Sequence, residues 1–158
     1  MKLAEFVVEQ AIVSQLKSTE RDDVIKELIA ALVCAGSIAK DQEKEMVAKV
    51  LEREAKGSTG FGKGVAVPHL KADGVKKMVA AIGVSQKGID FSALDKLPVY
   101  SVVLLASPAD QPDEHLQAME IIFSNLQKDN FRRFLRQSNS KEDIVDLLRE
   151  ADSQQIQA

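Results

Sequence analysis

With 158 residues, 45% hydrophobic and 28% charged, the chain has the composition of one soluble globular domain large enough to bury a core, outside the disordered and membrane classes. A formal net charge of -3 supplies no basic footprint, so nucleic acid is not expected as a partner. The single cysteine, Cys34, excludes an internal disulfide and a multi-cysteine zinc site, and within LIAALVCAG it is expected to be a small core residue.

The opening residues, MKLAEFVVEQAIVSQL, are interrupted by Glu5, Glu9 and Gln10 and lack the apolar run of a signal peptide. No apolar stretch reaches the roughly 18 residues needed to cross a bilayer, so the chain is expected to be cytoplasmic, without direct membrane insertion. Thr19 and Asp22 have capping-box spacing, and Val24, Ile25, Leu28, Ile29, Leu32 and Val33 then recur at helical intervals up to Gly36. A second helix is predicted from about Asp41 through Leu51, with Arg53 in its last turn and Gly57 just past its end.

Three short Val-rich runs follow, VAVPH, MVAAIGVSQ and PVYSVVLLASP, each bounded by Gly, Pro or Ser in the manner of buried strands, the third being the most apolar and therefore central. Asp110 to about Gln127 is predicted as a helix with Pro112 in its first turn and Leu116, Met119, Ile122, Phe123 and Leu126 on its buried stripe. Two more helices are expected at Asp129–Gln137 and Ser140–Glu150, the last opened by a Ser140–Asp143 capping box. Helices, then strands, then helices imply an α/β fold: a mixed parallel and antiparallel central sheet flanked by helices on both faces. Residues 1–150 are expected to form one domain, and 151–158 a polar tail that frays.

Three places carry chemistry. GSTGFGKG, from Gly57 to Gly64, nearly satisfies the phosphate-loop pattern G-x-x-x-x-G-K-[ST], but Gly64 stands where a hydroxyl would hold magnesium. The stretch also follows a helix and opens VAVP, the reverse of the required context. Gly57 is explained by a helix-to-strand connection; four glycines suggest backbone that must approach something closely. His69, just beyond a short strand and behind Pro68, is suited to nucleophilic or acid-base work, since an unperturbed imidazole keeps a neutral nitrogen at cellular pH. His115, in the first turn of its helix, is expected to be neutral beside the positive end of the helix dipole. Neither histidine sits in a metal-ligand pattern, and no metal or cofactor is implied.

The run E-x6-F-G-x2-V-A-V-P-H from Glu54 to His69 resembles the active-site signature of the mannitol/fructose-type EIIA domains of the bacterial phosphoenolpyruvate-dependent phosphotransferase system, shared by their nitrogen-regulatory relatives. Arg53 before it, Gly57–Gly60 within it and His115 after it extend the resemblance over nearly the full chain. What the resemblance implies is a phosphoryl carrier in which His69 accepts the group from an HPr-type phosphocarrier protein, with Arg53 and His115 stabilising it. Ser58, Thr59, Gly60 and Gly62 are expected to wall the phosphate pocket. The onward partner would be an EIIB protein or a regulatory target, with signalling of the nitrogen-regulatory type favoured over sugar transport. A third reading is a binding module of the same fold that has lost phosphoryl transfer. Leu70 motivates it: the family usually has a small residue after the histidine, and a branched side chain here is expected to narrow access to the imidazole or to enlarge an apolar docking rim.

Overall fold

The computed structural model describes residues 1–154. A short 3-10 turn at Leu3–Glu5 leads into strand β1, Val7–Val13, so the expected order is corrected at its start: a strand precedes the first helix. Glu9 and Gln10 break the apolar run of VVEQAIV, and its pairing slips between Val7 and Ile12, which removes the alternation by which strands are recognised.

Helix α1 spans Arg21–Cys34 and buries Val24, Ile25, Leu28, Ile29 and Leu32. The predicted capping box does not form. Glu20 holds the cap position without a side-chain bond, while the Thr19 carbonyl accepts the Asp90 N–H at 2.9 Å; main-chain pairing fixes this helix entry. Cys34 is exposed rather than core, because two residues beyond Leu32 is roughly 200° around the helix. Helix α2 runs Glu43–Ala55 behind a 3-10 turn at Lys40–Gln42.

The VAVPH run divides into β2, Val65–Ala66, and β3, His69–Ala72, so His69 opens a strand rather than following one. Strands β4, Val79–Ile89, and β5, Val99–Pro108, are buried along most of their length. The sheet order is β1-β4-β5 with β2 and β3 both on the far side of β5. The β4–β5 pair is antiparallel; β1 on β4, and β2 and β3 on β5, are parallel. The predicted central strand is thus β5, and the sheet is mixed as expected.

Helices α3, Pro112–Leu126, α4, Asp129–Gln137, and α5, Lys141–Gln154, complete the chain. The Ser140 hydroxyl caps α5 by accepting the Asp143 N–H at 3.1 Å. This helix continues through Gln154, past the predicted end at Glu150: Ala151 is buried and the Asp152 carboxylate accepts the Leu3 and Ala4 N–H groups at 2.7 and 2.9 Å. The rest of the predicted tail, 155–158, lies outside the described residues. On α3 the buried stripe is His115, Ala118, Ile122, Asn125 and Leu126, and Leu116, expected inside, is 59% exposed.

Alternate residues of the two central strands feed two cores. Val102, Leu104 and Ala106 of β5 pack with α1 and α2, whereas Val103 and Leu105 pack with α3, α4 and α5. Helices therefore cover both faces, and the last residues of β3 and β5 come out beside the start of α3.

Candidate functional site

His69 stands at the first residue of β3, in register with Leu105 of β5. Its ring Nδ1 lies 2.8 Å from the Val67 carbonyl oxygen. A carbonyl only accepts, so Nδ1 carries the proton and Nε2 keeps its lone pair. Burial pushes the pKa of His69 below the ordinary 6.5, and the positive charges of Arg53 and Lys71 push the same way against the opposing Val67 bond. The imidazole is a neutral ring with a fixed tautomer, the form in which a nitrogen attacks.

The lock on that ring traces back to Glu54. Its carboxylate is 3% exposed, accepts the Thr59 N–H at 3.1 and 3.2 Å through its two oxygens, and also accepts the Thr59 hydroxyl. The Thr59 carbonyl in turn accepts the Val67 N–H at 3.2 Å. A buried acid thus ties the glycine loop to the residue whose carbonyl orients His69. The position is part of the sequence signature, but this role needs the fold to be visible.

His115 sits in the first turn of α3 with its ring 5.5 Å from that of His69, centroid to centroid, at 53°. Its Nδ1 is 2.7 Å from the Ser107 hydroxyl at the end of β5. Burial, followed by the neighbouring His69 and Lys71, lowers its pKa to about 4, so it is neutral at pH 7 as expected. When Ser107 donates to Nδ1, the other nitrogen bears the N–H and can donate toward His69. Arg53, in the last turn of α2, donates from Nη1 to the Gly57 carbonyl at 2.8 Å, which holds the guanidinium at the mouth of the loop.

Arg53, His69 and His115 line one cavity of about 910 Å³. Its α2 and β3 side adds Lys49, Lys56 and Lys71 with one carboxylate, Glu52, and its α3 side adds Leu116, Met119 and Phe123 with another, Glu120. Lys71 lies two residues past His69, on the same face of the strand. The sequence reading missed it because it placed His69 outside the strand; Ser107 offered no signal without the β3–β5 register.

Ser58, Thr59, Gly60 and Gly62 do not line this cavity. The Thr59 N–H is taken by Glu54, and the Gly60 N–H donates to the Ser58 hydroxyl at 3.0 Å. In this structure the loop, expected to wall the phosphate pocket, lies behind the imidazole and reaches it through the Thr59–Val67 bond. Leu70 is 4% exposed and packs in the α1/α2 core. It is among the residues that line the cavity, but at this exposure it forms no exposed apolar rim.

Among the described residues no helix is long and apolar enough to cross a membrane, and no group of three or more His, Cys, Asp or Glu side chains could hold a metal ion.

Residues 5–151 match the family model described as phosphoenolpyruvate-dependent sugar phosphotransferase system, EIIA 2. The chain is 31% identical over 152 residues to the PTS system fructose-specific EIIABC component of Bacillus subtilis (strain 168), a match covering 96% of this chain and 24% of that protein, so the chain spans about a quarter of that relative's length. It is 30% identical over 148 residues to the nitrogen regulatory protein of Bradyrhizobium diazoefficiens, covering 94% of this chain and 95% of the relative. The crystal structure of nitrogen regulatory protein IIA-Ntr from Neisseria meningitidis superposes with a TM-score of 0.82 at 26% identity, over 91% of this chain and 97% of that one. With the fold, the paired histidines and these likenesses together, the chain belongs to the EIIA type 2 family of the phosphoenolpyruvate-dependent sugar phosphotransferase system.

Proposed function

We propose that this chain is a phosphoryl carrier in which His69 takes the group from the phosphohistidine of an HPr-type carrier protein. The observation that carries the reading is the Nδ1–Val67 hydrogen bond, which leaves the Nε2 lone pair available on a cavity walled by Arg53, Lys49, Lys56 and Lys71. In the transfer, a bond forms from His69 Nε2 to phosphorus as the bond from phosphorus to the donor's imidazole nitrogen breaks. The donor ring keeps that electron pair, and the proton stays on His69 Nδ1, which goes on donating to the Val67 carbonyl.

The arriving group brings a charge of about -1.5 to -2. Arg53 meets it with the guanidinium N–H groups that Gly57 does not occupy, Lys71 with a point charge, and His115 with its outer N–H. Each donor is in place before the group arrives, so the protein supplies positioning and charge stabilisation. Incubation with phosphoenolpyruvate, enzyme I and HPr is expected to yield an acid-labile phosphate on the unaltered chain and none on His69→Ala. Labelling that survives the substitution would overturn the assignment. Uptake is expected to hold steady above pH 6.5 and to fall only on the acid side, since the lowered pKa keeps His69 unprotonated through neutrality.

For the onward step we favour regulation by phosphorylation-dependent binding, supported by the likeness to nitrogen regulatory proteins over nearly their whole length. The similarity to a fructose-specific component supports the second reading, passage of phosphate to an EIIB partner. A pull-down comparing His69→Ala with His69→Asp separates them: recovery of a sugar-specific EIIB alone favours transport. The burial of Leu70 weighs against the third reading, a binding module without phosphoryl transfer, and robust labelling of the unaltered chain would dismiss it.

A further inference from the structure

A second cavity, of about 520 Å³, lies at the opposite end of β5 and shares no lining residue with the first. Val65 of β2 pairs with Ser101 where His69 of β3 pairs with Leu105, a separation of four residues, or roughly 13 Å along the strand. Four cations line it: Lys63 from the glycine loop and Arg132, Arg133 and Arg136 from α4. One carboxylate, Asp129, faces them, and it pairs with Arg132. Such a cluster is unexpected on a chain whose net charge is -3.

The cations are held in place before any ligand arrives. Arg132 donates to the Leu126 carbonyl at 2.7 Å and Arg133 to the Asn130 side-chain oxygen at 2.9 Å. The Arg136 guanidinium lies 3.5 Å above the centre of the Tyr100 ring, a stacking that orients it while leaving its N–H edge free. Lys63 sits at φ +60° between Gly62 at +112° and Gly64 at +76°, a left-handed bend that glycine favours and lysine adopts at a cost. The Gly64 carbonyl anchors the bend by accepting the Tyr100 and Ser101 N–H groups at 2.8 and 3.1 Å. Ser101, 2% exposed, is on the lining. Among the described residues, no carboxylate pairs with Lys63, Arg133 or Arg136.

We propose that this cavity is a binding site for a small polyphosphate anion, an inorganic or organic diphosphate, separate from the phosphoryl site at His69. Three unpaired cations around a concave site call for a compact ligand of several negative charges. Forked guanidinium groups match phosphate oxygens better than they match a single carboxylate. The size is that of a small-molecule cleft rather than of an extended nucleic-acid track.

The test is an amide NMR titration of the full chain with inorganic pyrophosphate at low salt, run in parallel on His69→Ala and on an Arg133→Gln/Arg136→Gln double variant, with citrate as the carboxylate control. Saturable shifts are expected at Lys63, Gly64, Gln86, Tyr100 and Ser101, with equal affinity in His69→Ala. In the double variant, whose remaining spectrum reports an intact fold, affinity is expected to fall at least tenfold. Shifts confined to the His69 cavity, an unchanged affinity in the double variant, or citrate binding as tightly as pyrophosphate would each overturn the proposal. So would a single-stranded oligonucleotide binding the same arginines more tightly than pyrophosphate. Because the His69→Ala arm retains this site and lacks the phosphoryl acceptor, failure here and failure of the carrier reading are read separately.

Discussion

Along β3, four consecutive residues divide between two environments. Leu70 and Ala72 face α1 and α2 and belong to their core, Leu70 also reaching the cavity lining; His69 and Lys71 face α3, on the side where Ser107 holds His115. The same alternation runs through β5, where Ala106 is core and Ser107 serves the site. Chemistry and stability are thus separated by a single residue step, because side chains of a strand point alternately to opposite faces. A one-residue slip in this edge pairing would put a leucine in the place of His69, the proposed phosphoryl acceptor.

Substitutions on the two faces are therefore expected to produce different kinds of damage. Leu70→Ala is expected to cost about 2–5 kcal/mol of stability, as truncation of a buried leucine does, while phosphoryl uptake measured well below the lowered melting temperature stays near that of the unaltered chain. Urea unfolding paired with a labelling assay checks this, and a large rate loss in a folded Leu70→Ala protein would break the division between faces. Glu54→Gln is expected to slow uptake by roughly tenfold to a hundredfold through a displaced imidazole. Nitrogen chemical shifts of the His69 ring should then show a mixture of tautomers, a signature that mere loss of stability would not give.

Lys71→Gln, on the chemical face, is expected to change stability by less than about 0.5 kcal/mol, as exposed substitutions do, and to slow uptake severalfold. The smallest effect concerns acid. His115 titrates near 6.5 when unfolded and at about 4 when folded, so the unfolded state binds more protons between those values and stability falls as pH drops from 6.5 toward 4. Urea unfolding of His115→Gln across that window is expected to show a shallower loss than the unaltered chain.

Much of this was legible in the sequence, and the exceptions have physical causes. α4 has the predicted bounds and β5 is the central strand, because long periodic or apolar segments state their own burial. β1 was not legible: its apolar pattern is broken by Glu9 and Gln10 and its existence depends on pairing with β4, at least seventy residues away. Arg53, His69 and His115 were identifiable as types of residue with suitable chemistry, and the structure brings them together. The glycine loop was legible only as backbone in close approach, since glycine content reports close packing without saying which surface is approached. Its backbone approaches Ala93 and the Glu54 carboxylate, while the charged lining of the His69 cavity comes from side chains of α2, β3 and α3. Lys71, Ser107 and the buried function of Glu54 all depend on register, which a single sequence does not display.

The break between β2 and β3 has a consequence for the sheet's exposed margin. The Pro68 carbonyl turns inward to the Leu105 N–H at 3.0 Å, so the Val67 amide turns outward, where an open strand edge ordinarily invites another strand to pair. Both of its groups are already engaged, the N–H by Thr59 and the carbonyl by His69. The orienting contact is main chain, which no side-chain replacement at Val67 removes. It also closes this margin to lateral strand addition: Val67 is fully buried beneath the glycine loop, so the pairing that would extend a sheet is spent inside the chain on orienting a side chain.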